Sequence, residues 1–379
     1  MNNLYRSLIL PASILAGTII GAGIFSLPFV FQTAGLSLGF IYLALASVVY
    51  IFLHLMYADV IIRTSESHRF VGYAKIYLGS RAFWLSILMT VVEMIFVMTI
   101  YLTLSQSFSN LVTTFGSNLE KLLIFWFLGS AAVFMSLRRI ALLEFLIVGG
   151  ILLIISLIFV LGLNNFLNLP AADFFPNFSM IFLPLAPLLF SLSGRVAIPA
   201  LVDYLKDKPD AVRLVKKSVI VGTLAPAVLY GLFVVGVLGL SSNVSEDAVS
   251  GLIGQAPGWI LLAVGILGLL SLWSSYIVVG LDINKSLVYD FKLPVWLRFL
   301  LVVMAPLLLY LSGFQSFIGL VSFVGGVFLS LEGIFIICMW LKANKVLAKP
   351  PVLLKKANIV VIGFLFLILA AALSYEIMK

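Results

Sequence analysis

Residues 17–29 read GTIIGAGIFSLPF, and residues 188–201 read LLFSLSGRVAIPAL. In each stretch a proline, Pro28 or Pro199, follows a glycine by five residues. Glycine weakens a helix by about 1 kcal/mol and proline by about 3 kcal/mol relative to alanine. We therefore expect the helical winding to break at both places, inside segments that are otherwise long and apolar.

The composition of the chain is that of a membrane protein. Of its 379 residues, 63% are hydrophobic and 10% are charged, with a mean hydropathy of +1.22. Soluble domains contain about 45–50% apolar and about 25% charged residues. In lipid, only helices and closed barrels satisfy every backbone group, and long apolar runs without strict alternation favour helices. The sequence predicts an all-α polytopic membrane protein.

A window of about 20 residues, the length of a helix that crosses a bilayer, divides the chain into eleven predicted spans. Their ranges are 7–31, 36–62, 82–108, 119–137, 140–163, 178–205, 211–240, 258–290, 294–312, 314–341 and 354–375. The breaks fall in the first and sixth spans, which cross the membrane in opposite directions. Two such interrupted segments are typical of an inverted repeat with a substrate site at the breaks.

The predicted domain organisation follows from this pairing. We interpret residues 1–375 as one transmembrane domain, with repeat one at about 7–163, repeat two at about 178–341 and an extra helix at about 354–375.

The distribution of positive charge predicts the orientation in the membrane. Cytoplasmic loops carry an excess of Lys and Arg. Placing the N-terminus in the cytoplasm puts all 23 Lys and Arg residues on that side except Lys121, Arg195 and Lys379. With eleven spans, the C-terminus is then expected outside, in a plasma membrane of the bacterial inner-membrane type. Because the basic residues are scattered between apolar spans, the net charge of +8 does not indicate nucleic-acid binding.

The two breaks predict the chemistry of a ligand. An interrupted helix presents unpaired N–H groups with partial positive charge and unpaired C=O groups with partial negative charge. A zwitterion fits this arrangement, with its carboxylate at a new helix N-terminus and its ammonium group at the freed carbonyls. We therefore expect an amino acid as substrate.

The quoted stretch 17–29, together with SLSGRVAIPALVDYL at 191–205, resembles the amino acid/polyamine/organocation superfamily, and within it the hydroxy and aromatic amino acid permease type. The resemblance implies a LeuT-like fold of five plus five inverted helices with one extra C-terminal helix. It implies a substrate site whose carboxylate-binding turn is Gly21, Ala22, Gly23 and Ile24, and whose second part is Phe190, Ser191, Ser193 and Gly194. Arg195 departs from the family pattern, in which this position is uncharged or histidine.

Arg195 needs an anion, because a charge within a membrane span is costly unless it is paired. The candidates are Glu93, Glu332 and the carboxylate of the substrate. Glu93 begins a polar face on the third span at i+4 spacing, formed by Glu93, Val97, Tyr101 and Ser105. We predict an interaction between Arg195 and Glu93. Two roles remain open, a permanent ion pair that fixes packing and a function in gating, substrate binding or proton coupling.

The eighth span contains hydroxyl groups suited to a small cation. Ser271, Ser274 and Ser275 share one helix face, and related sodium-coupled transporters join such hydroxyls to carbonyls of the broken first helix, here those of Gly17 and Ile20. Hard oxygen ligands suit Na⁺, although serines in membrane helices also serve in packing. Na⁺ or H⁺ is the expected coupling ion, and no other cofactor is expected.

The predicted side-chain pocket is apolar. Val97, Phe190, Tyr276 and Val279 are its expected lining, which favours a neutral hydrophobic or aromatic amino acid. A transporter of polyamines or nucleobases, or a non-transporting receptor or assembly subunit, is the alternative. The chain has two histidines, one cysteine and neither an HExxH nor a GxSxG motif, so we do not expect an enzyme. The oligomeric state is not indicated.

The end of the second span carries a charge pair. Asp59 precedes Arg63 by four residues, a spacing that predicts an ion pair at the membrane interface. The following segment, Gly72 to Leu78, predicts a short amphipathic cytoplasmic helix.

Overall fold

The computed structural model describes residues 4–66, 68–133, 140–289, 292–347, 349–354 and 359–379. Parts of the predicted spans, at 134–137, 290 and 355–358, lie outside these ranges. The helices, in chain order, are α1 Tyr5–Ile19, α2 Ala22–Ala34, α3 Leu36–Arg63, α4 Phe70–Leu78, α5 Ser80–Val112, α6 Asn118–Val133, α7 Ile140–Leu167, α8 Leu185–Leu192, α9 Ile198–Leu205, α10 Ala211–Leu240, α11 Gly258–Tyr289, α12 Val295–Leu311, α13 Phe317–Val346 and α14 Ile359–Met378.

Most of these helices are long and apolar enough to cross a membrane. Among the described residues, eight segments pass that test. Seven are single helices, and the eighth is the interrupted α8–α9 at Leu185–Leu205. Helices α1 and α2 together form a further span, which is bent by 52°. The sixth predicted span begins later than expected, because residues 178–184 contain only a short 3₁₀ turn and Pro184 directly precedes α8. Helix α4 confirms the predicted short helix after the second span.

The helices pack into two groups. Helices α1, α3, α8, α9 and α10 pack on one another, and α5 packs on α6, α11 and α12. Helix α7 contacts both α10 and α11, and α13 contacts both α3 and α5, so α7 and α13 bridge the groups. The breaks in α1–α2 and α8–α9 therefore lie inside the first group, where surrounding helices can satisfy their freed backbone groups.

Glycines bring the backbones of α7 and α10 into direct contact. A Cβ on Gly162 would overlap the carbonyl of Gly236, and a Cβ on Gly239 would overlap the carbonyl of Gly162. The Asn165 amide donates to the Gly239 carbonyl at 3.0 Å across the same contact. Small residues allow this close approach. In lipid there is no hydrophobic driving force between helices, so such close van der Waals contacts stabilise their association.

Helix α13 contains a π-helical turn, Val324–Leu329, that packs against α8. A Cβ on Gly325 would overlap the Ala186 carbonyl and would lie 3.1 Å from the Phe190 backbone nitrogen. The described part of α14 also contacts this turn. The wider turn places the residues that follow it, among them Glu332, beside the second break.

Candidate functional site

The first break interrupts α1–α2 at Ile20 and Gly21. Helix α1 ends at Ile19, and the two residues after it are extended, with φ and ψ of −69° and 101° at Ile20 and −152° and −157° at Gly21. A 3₁₀ turn, Ala22–Ser26, then starts α2. The predicted interruption of the first span is confirmed.

The second break interrupts α8–α9 at Ser193 and Gly194. Ser193 is extended, with φ −65° and ψ 129°, and Gly194 has φ −148° and ψ 14°. A 3₁₀ turn, Arg195–Ala197, precedes α9. The glycine-to-proline spacing thus correctly identified two interrupted helices. Each proline is at the second position of an α-helical stretch, Leu27–Ala34 within α2 or Ile198–Leu205 in α9, where its missing N–H costs nothing.

The two breaks are in direct contact. A Cβ built on Gly23 would lie 2.6 Å from both Cα and Oγ of Ser191, and one on Gly194 would lie 2.7 Å from side-chain atoms of Leu15 and Ile19. Glycine is therefore required at both positions for the interrupted helices to meet. Phe190, Ser193 and Gly21 keep partial exposure beside this contact, whereas Ala22, Gly23, Ile24, Ser191 and Gly194 are buried.

Two buried tyrosines satisfy the carbonyls that the breaks release. The Tyr230 hydroxyl of α10 lies 2.6 Å from the Ile19 carbonyl and 2.9 Å from the Ser191 carbonyl, and it also hydrogen-bonds the Gly21 backbone. The Tyr50 hydroxyl of α3 donates to the Leu189 carbonyl at 2.6 Å. Sequence analysis missed both residues. Tyr230 is the one tyrosine of α10, but α3 contains Tyr42, Tyr50 and Tyr57. Sequence spacing does not show which of these side chains lie beside the breaks.

Replacing Tyr230 with phenylalanine is expected to destabilise the protein by about 1–3 kcal/mol, because it leaves buried carbonyls of both breaks without a donor. Thermal unfolding of the purified protein in detergent measures the effect. The control is Tyr5→Phe, which makes the same substitution at a tyrosine that is 52% exposed. It should leave the unfolding temperature unchanged. Equal stability of the Tyr230→Phe protein and the wild type would contradict the assignment.

Arg195 is buried at the second break and is surrounded by partners. Its Nε forms an ion pair with the carboxylate of Glu332 on α13. Its guanidinium lies 4.2 Å from the ring centroid of Phe70 on α4 and donates a hydrogen bond to the Tyr57 hydroxyl of α3. The charge is thereby compensated by one carboxylate, one aromatic face and one hydroxyl.

The predicted interaction of Arg195 with Glu93 is present as an electrostatic interaction, but the carboxylate in direct contact with Arg195 is that of Glu332. Glu332 makes the direct pair, because the π-helical turn of α13 brings it to the start of α9. Glu93 on α5 lies near enough to interact electrostatically with both Arg195 and Glu332. Two carboxylates therefore share one guanidinium at the seam between the two helix groups.

A cavity of about 480 Å³ begins at Arg195 and Val196 and extends to the end of the bundle where α3 ends and α5 begins. Its wall includes Tyr57, Phe70 and Met94. Since α1 starts at the same end as the α3–α5 connection, this cavity opens on the side of the N-terminus.

The polar residues of the eighth predicted span lie on α11. Ser275 hydrogen-bonds Tyr101 of α5, which confirms that the polar face of α5 points into the bundle. Ser274 is buried and Ser271 is half-buried. The main contacts of α11 are with α5, α6 and α7.

Tyr276 is buried between α11 and α6. Its hydroxyl is 3.2 Å from Ser130 Oγ, and its ring stacks edge-on against Phe125, both on α6. A Cβ on Gly129 would lie 2.8 Å from the same ring. The side of α11 that carries Tyr276 therefore faces α6, and the tyrosine fills the interface between the two helices. Val97 of α5 is half-buried.

At the opposite end, the loop over residues 241–257 is tied to α2 and α13. The Gln32 side chain donates to the Ser242 carbonyl at 3.1 Å and accepts from the Val244 N–H at 3.2 Å. Glu246 accepts from Ser316 Oγ at 3.2 Å. These bonds hold the loop against α2, which is the part of the first interrupted helix beyond its break, and against the start of α13.

Asp247 organises this loop. Burial alone would raise the pKa of Asp247, but hydrogen bonds from Ser107, Ser245 and Ser250 outweigh it and lower the pKa. Ser107 belongs to α5, so the carboxylate also connects the loop to the second helix group.

Asp247→Asn is expected to lower the unfolding temperature at about neutral pH. A carboxyl with a lowered pKa stabilises the fold above its unfolded pKa of about 3.9, and this contribution is lost as the pH falls through the folded pKa. The difference between wild type and variant should be constant above about pH 5 and vanish in more acidic solution. Thermal unfolding across that range measures it, and a difference that grows on acidification would contradict it.

Comparison with solved structures shows the fold. A manganese transporter of Eremococcus coleocola, in complex with an aromatic bis-isothiourea compound, has 14% identity and a TM-score of 0.66, over 99% of this chain and 87% of that one. MhsT in complex with L-phenylalanine has 16% identity and a TM-score of 0.64, over 97% of each chain. Mhp1, a nucleobase-cation-symport-1 family transporter in a closed conformation with bromovinylhydantoin bound, has 14% identity and a TM-score of 0.62, over 97% of this chain and 90% of that one.

Sequence comparison gives one family. The model of the tryptophan/tyrosine permease family matches residues 5–374. No curated protein matches the sequence. The three solved structures named above are LeuT-fold transporters.

Proposed function

Because the chain belongs to the tryptophan/tyrosine permease family, and is thus a multi-pass membrane transporter rather than an enzyme, we propose that it carries a neutral hydrophobic or aromatic amino acid. The observation that supports this most directly is the contact between the two breaks, Gly23 against Ser191. There two new helix N-termini and several freed carbonyls meet in the protein interior. Such dipoles match the charged ends of an amino acid.

The binding pose follows the polarity of the backbone. The carboxylate is placed at the N–H groups of the turn Gly21, Ala22, Gly23 and Ile24. The ammonium group is placed at the carbonyl end of α8, near Ser191 and Ser193, with Phe190 and Val97 beside the substrate side chain. Tyr276 is not part of this pose, since its ring faces α6.

The transport cycle is proposed to be alternating access. The cavity at Arg195 gives a path from the second break to the N-terminal side, and the loop at 241–257 covers the other side. With the N-terminus in the cytoplasm, as the charge distribution predicts, this conformation faces inward. Opening the other side requires two sets of hydrogen bonds to break. These are the bonds between Gln32 and the loop, and the bond between Glu246 of the loop and Ser316.

The architecture proposed with it is eleven transmembrane helices in a five-plus-five inverted repeat, with α14 as the extra helix and the C-terminus outside. The described helices of transmembrane length, together with the shorter α6 and α12, fall on the eleven predicted spans.

Coupling is proposed to run through the charge cluster at the second break. Glu93, Glu332 and Arg195 carry two negative charges and one positive charge at the seam between the helix groups. One carboxylate is therefore uncompensated unless it binds a proton, and the cost of an unpaired charge in a membrane favours that proton. A sodium ion at Ser271, Ser274, Ser275, Gly17 and Ile20 is the alternative coupling site.

Uptake into proteoliposomes tests the substrate. Radiolabelled tryptophan or tyrosine should accumulate, with competition by other aromatic and large hydrophobic amino acids and none by polyamines or nucleobases. Competition by a polyamine or a nucleobase alone would refute the proposal.

The same assay separates the coupling ions. Imposed sodium and proton gradients are compared in wild type and in Glu93→Gln. Proton coupling requires accumulation with a proton gradient in the absence of sodium, and loss of that accumulation in Glu93→Gln while exchange without a gradient persists. Accumulation that requires sodium and is unchanged in Glu93→Gln would instead assign coupling to the serine site.

A further inference from the structure

A second cavity, which shares His68 with the one at Arg195, lies where α3 and α13 end. It has a volume of about 470 Å³. Its lining includes Arg63 and Thr64 at the end of α3, Ile76 and Tyr77 on α4, and Lys342, Val346 and Lys349 at the end of α13. Because α3 and α13 are membrane spans, the cavity lies at the level where the membrane meets water.

The cavity is electropositive. Lys342 and Lys349 are exposed and form no salt bridge or hydrogen bond through their ammonium groups with any described residue. The acidic residue of the lining is Glu66, whose side chain is 81% exposed and lies 3.5 Å from His68. Two uncompensated ammonium groups therefore face one opening.

Arg63 adds a buried donor to the same wall. One of its terminal nitrogens lies 3.0 Å from Asp59 and also bonds Asn344, and the other donates to the Lys349 carbonyl at 2.7 Å. The predicted Asp59–Arg63 pair is thus confirmed, and both residues are buried within the protein. The Arg63 Nε is buried without a hydrogen-bond partner among the described residues. A buried N–H without a partner is rare in proteins, and a ligand at the cavity would supply an acceptor.

The guanidinium is held rigidly, which suits anion recognition. Asp59 also accepts hydrogen bonds from the Trp340 indole at 3.0 Å and from the backbone N–H groups of Val352 and Leu353 at 2.8 Å and 3.0 Å. The segment 349–354, which carries Lys349, is therefore fixed to α3. A preorganised guanidinium and two nearby ammonium groups are the donors that bind phosphate.

The apolar part of the lining indicates what carries the phosphate. Ile76 is 49% exposed and Val346 is 64% exposed, and both belong to the cavity wall beside the lysines. A phosphate ion has no apolar atoms that could contact these side chains, whereas the glycerol and acyl carbons of a phospholipid could. Basic pockets between transmembrane helices at the membrane surface bind anionic lipid headgroups.

We propose that this cavity binds a phosphate group presented by an anionic phospholipid, with Arg63, Lys342 and Lys349 as its ligands. This inference is independent of the transported substrate. The bound lipid connects the ends of α3 and α13, a helix of the first group and one of the two that bridge the groups. It stabilises their arrangement on the side where the transport cavity opens.

The test uses the delipidated full chain in neutral detergent. Thermal unfolding and native mass spectrometry are recorded with added phosphatidylglycerol, phosphatidylcholine or inorganic phosphate. Phosphatidylglycerol should raise the unfolding temperature and remain bound, and phosphatidylcholine should do neither. In Lys342→Gln/Lys349→Gln the apparent affinity for phosphatidylglycerol should fall about tenfold or more.

The matched control is Lys216→Gln/Lys217→Gln, which removes two exposed lysines near the start of α10, outside the cavity. It should bind phosphatidylglycerol like the wild type. Stabilisation by inorganic phosphate alone, with no added effect of the lipid, would keep the phosphate site and reject the lipid. Equal binding of both lipids, or wild-type binding by Lys342→Gln/Lys349→Gln, would overturn the proposal.

Discussion

Arg195→Met is expected to reduce uptake to background and to lower stability by about 3–5 kcal/mol, because it leaves the buried carboxylate of Glu332 without its partner. The ion pair lies at the second break, where the cavity that leads from the site to the N-terminal side begins. Loss of the guanidinium therefore affects both the packing and the exit. Uptake and thermal unfolding of the same preparation measure the two effects.

A double variant separates a structural role from a functional one. Arg195→Met/Glu332→Gln removes both charges, so much of the lost stability should return. If the pair only fixes packing, uptake returns as well. We expect uptake to stay absent, because the double variant has lost the charge that balances Glu93. Arg213→Met, the same substitution at an exposed position of α10, should leave both measurements unchanged.

Gly23→Ala is expected to abolish uptake while the protein remains inserted in the membrane. A Cβ at this position would lie 2.6 Å from the Ser191 backbone, so the two breaks must separate. Overpacking of this kind costs about 1–3 kcal/mol. The larger effect is on function, because the freed N–H and C=O groups no longer converge on one ligand.

The control for this substitution is Gly149→Ala on α7, where an added Cβ meets nothing within 4 Å. It should keep wild-type uptake and unfolding temperature. Binding of the transported amino acid, measured by thermal shift, should be lost in Gly23→Ala and kept in Gly149→Ala. Normal substrate binding by the Gly23→Ala protein would show that contact between the breaks is not part of the site.

Much of the candidate site could be predicted because its main feature is local. Whether a helix is interrupted depends on the conformational freedom of glycine and the missing N–H of proline, and both are read directly from the sequence. The polar face of α5 could also be predicted, since i+4 spacing places Tyr101 in line with Glu93 and Val97. Its contact with Ser275 supports that inference.

The contacts between distant segments could not be predicted in the same way. Glu93 and Glu332 were both candidates for Arg195, and only the packing of α13 and α5 around the second break shows which carboxylate is in direct contact with it. Tyr230 was missed for the same reason, since its partners Ile19 and Ser191 lie far from it in the sequence. The contacts of Tyr276 with α6 were not predicted, because the direction of one helix face depends on how α11 is rotated against α6.

By itself, the sequence determined that this chain is helical, lies in a membrane and has two interrupted helices, because apolar length, glycine and proline act on the backbone where they occur. Only the tertiary structure decided which groups meet at the breaks, which carboxylate compensates Arg195 and where the two cavities open. Those features depend on the register and rotation of packed helices, which arise from many weak contacts between residues far apart in the chain.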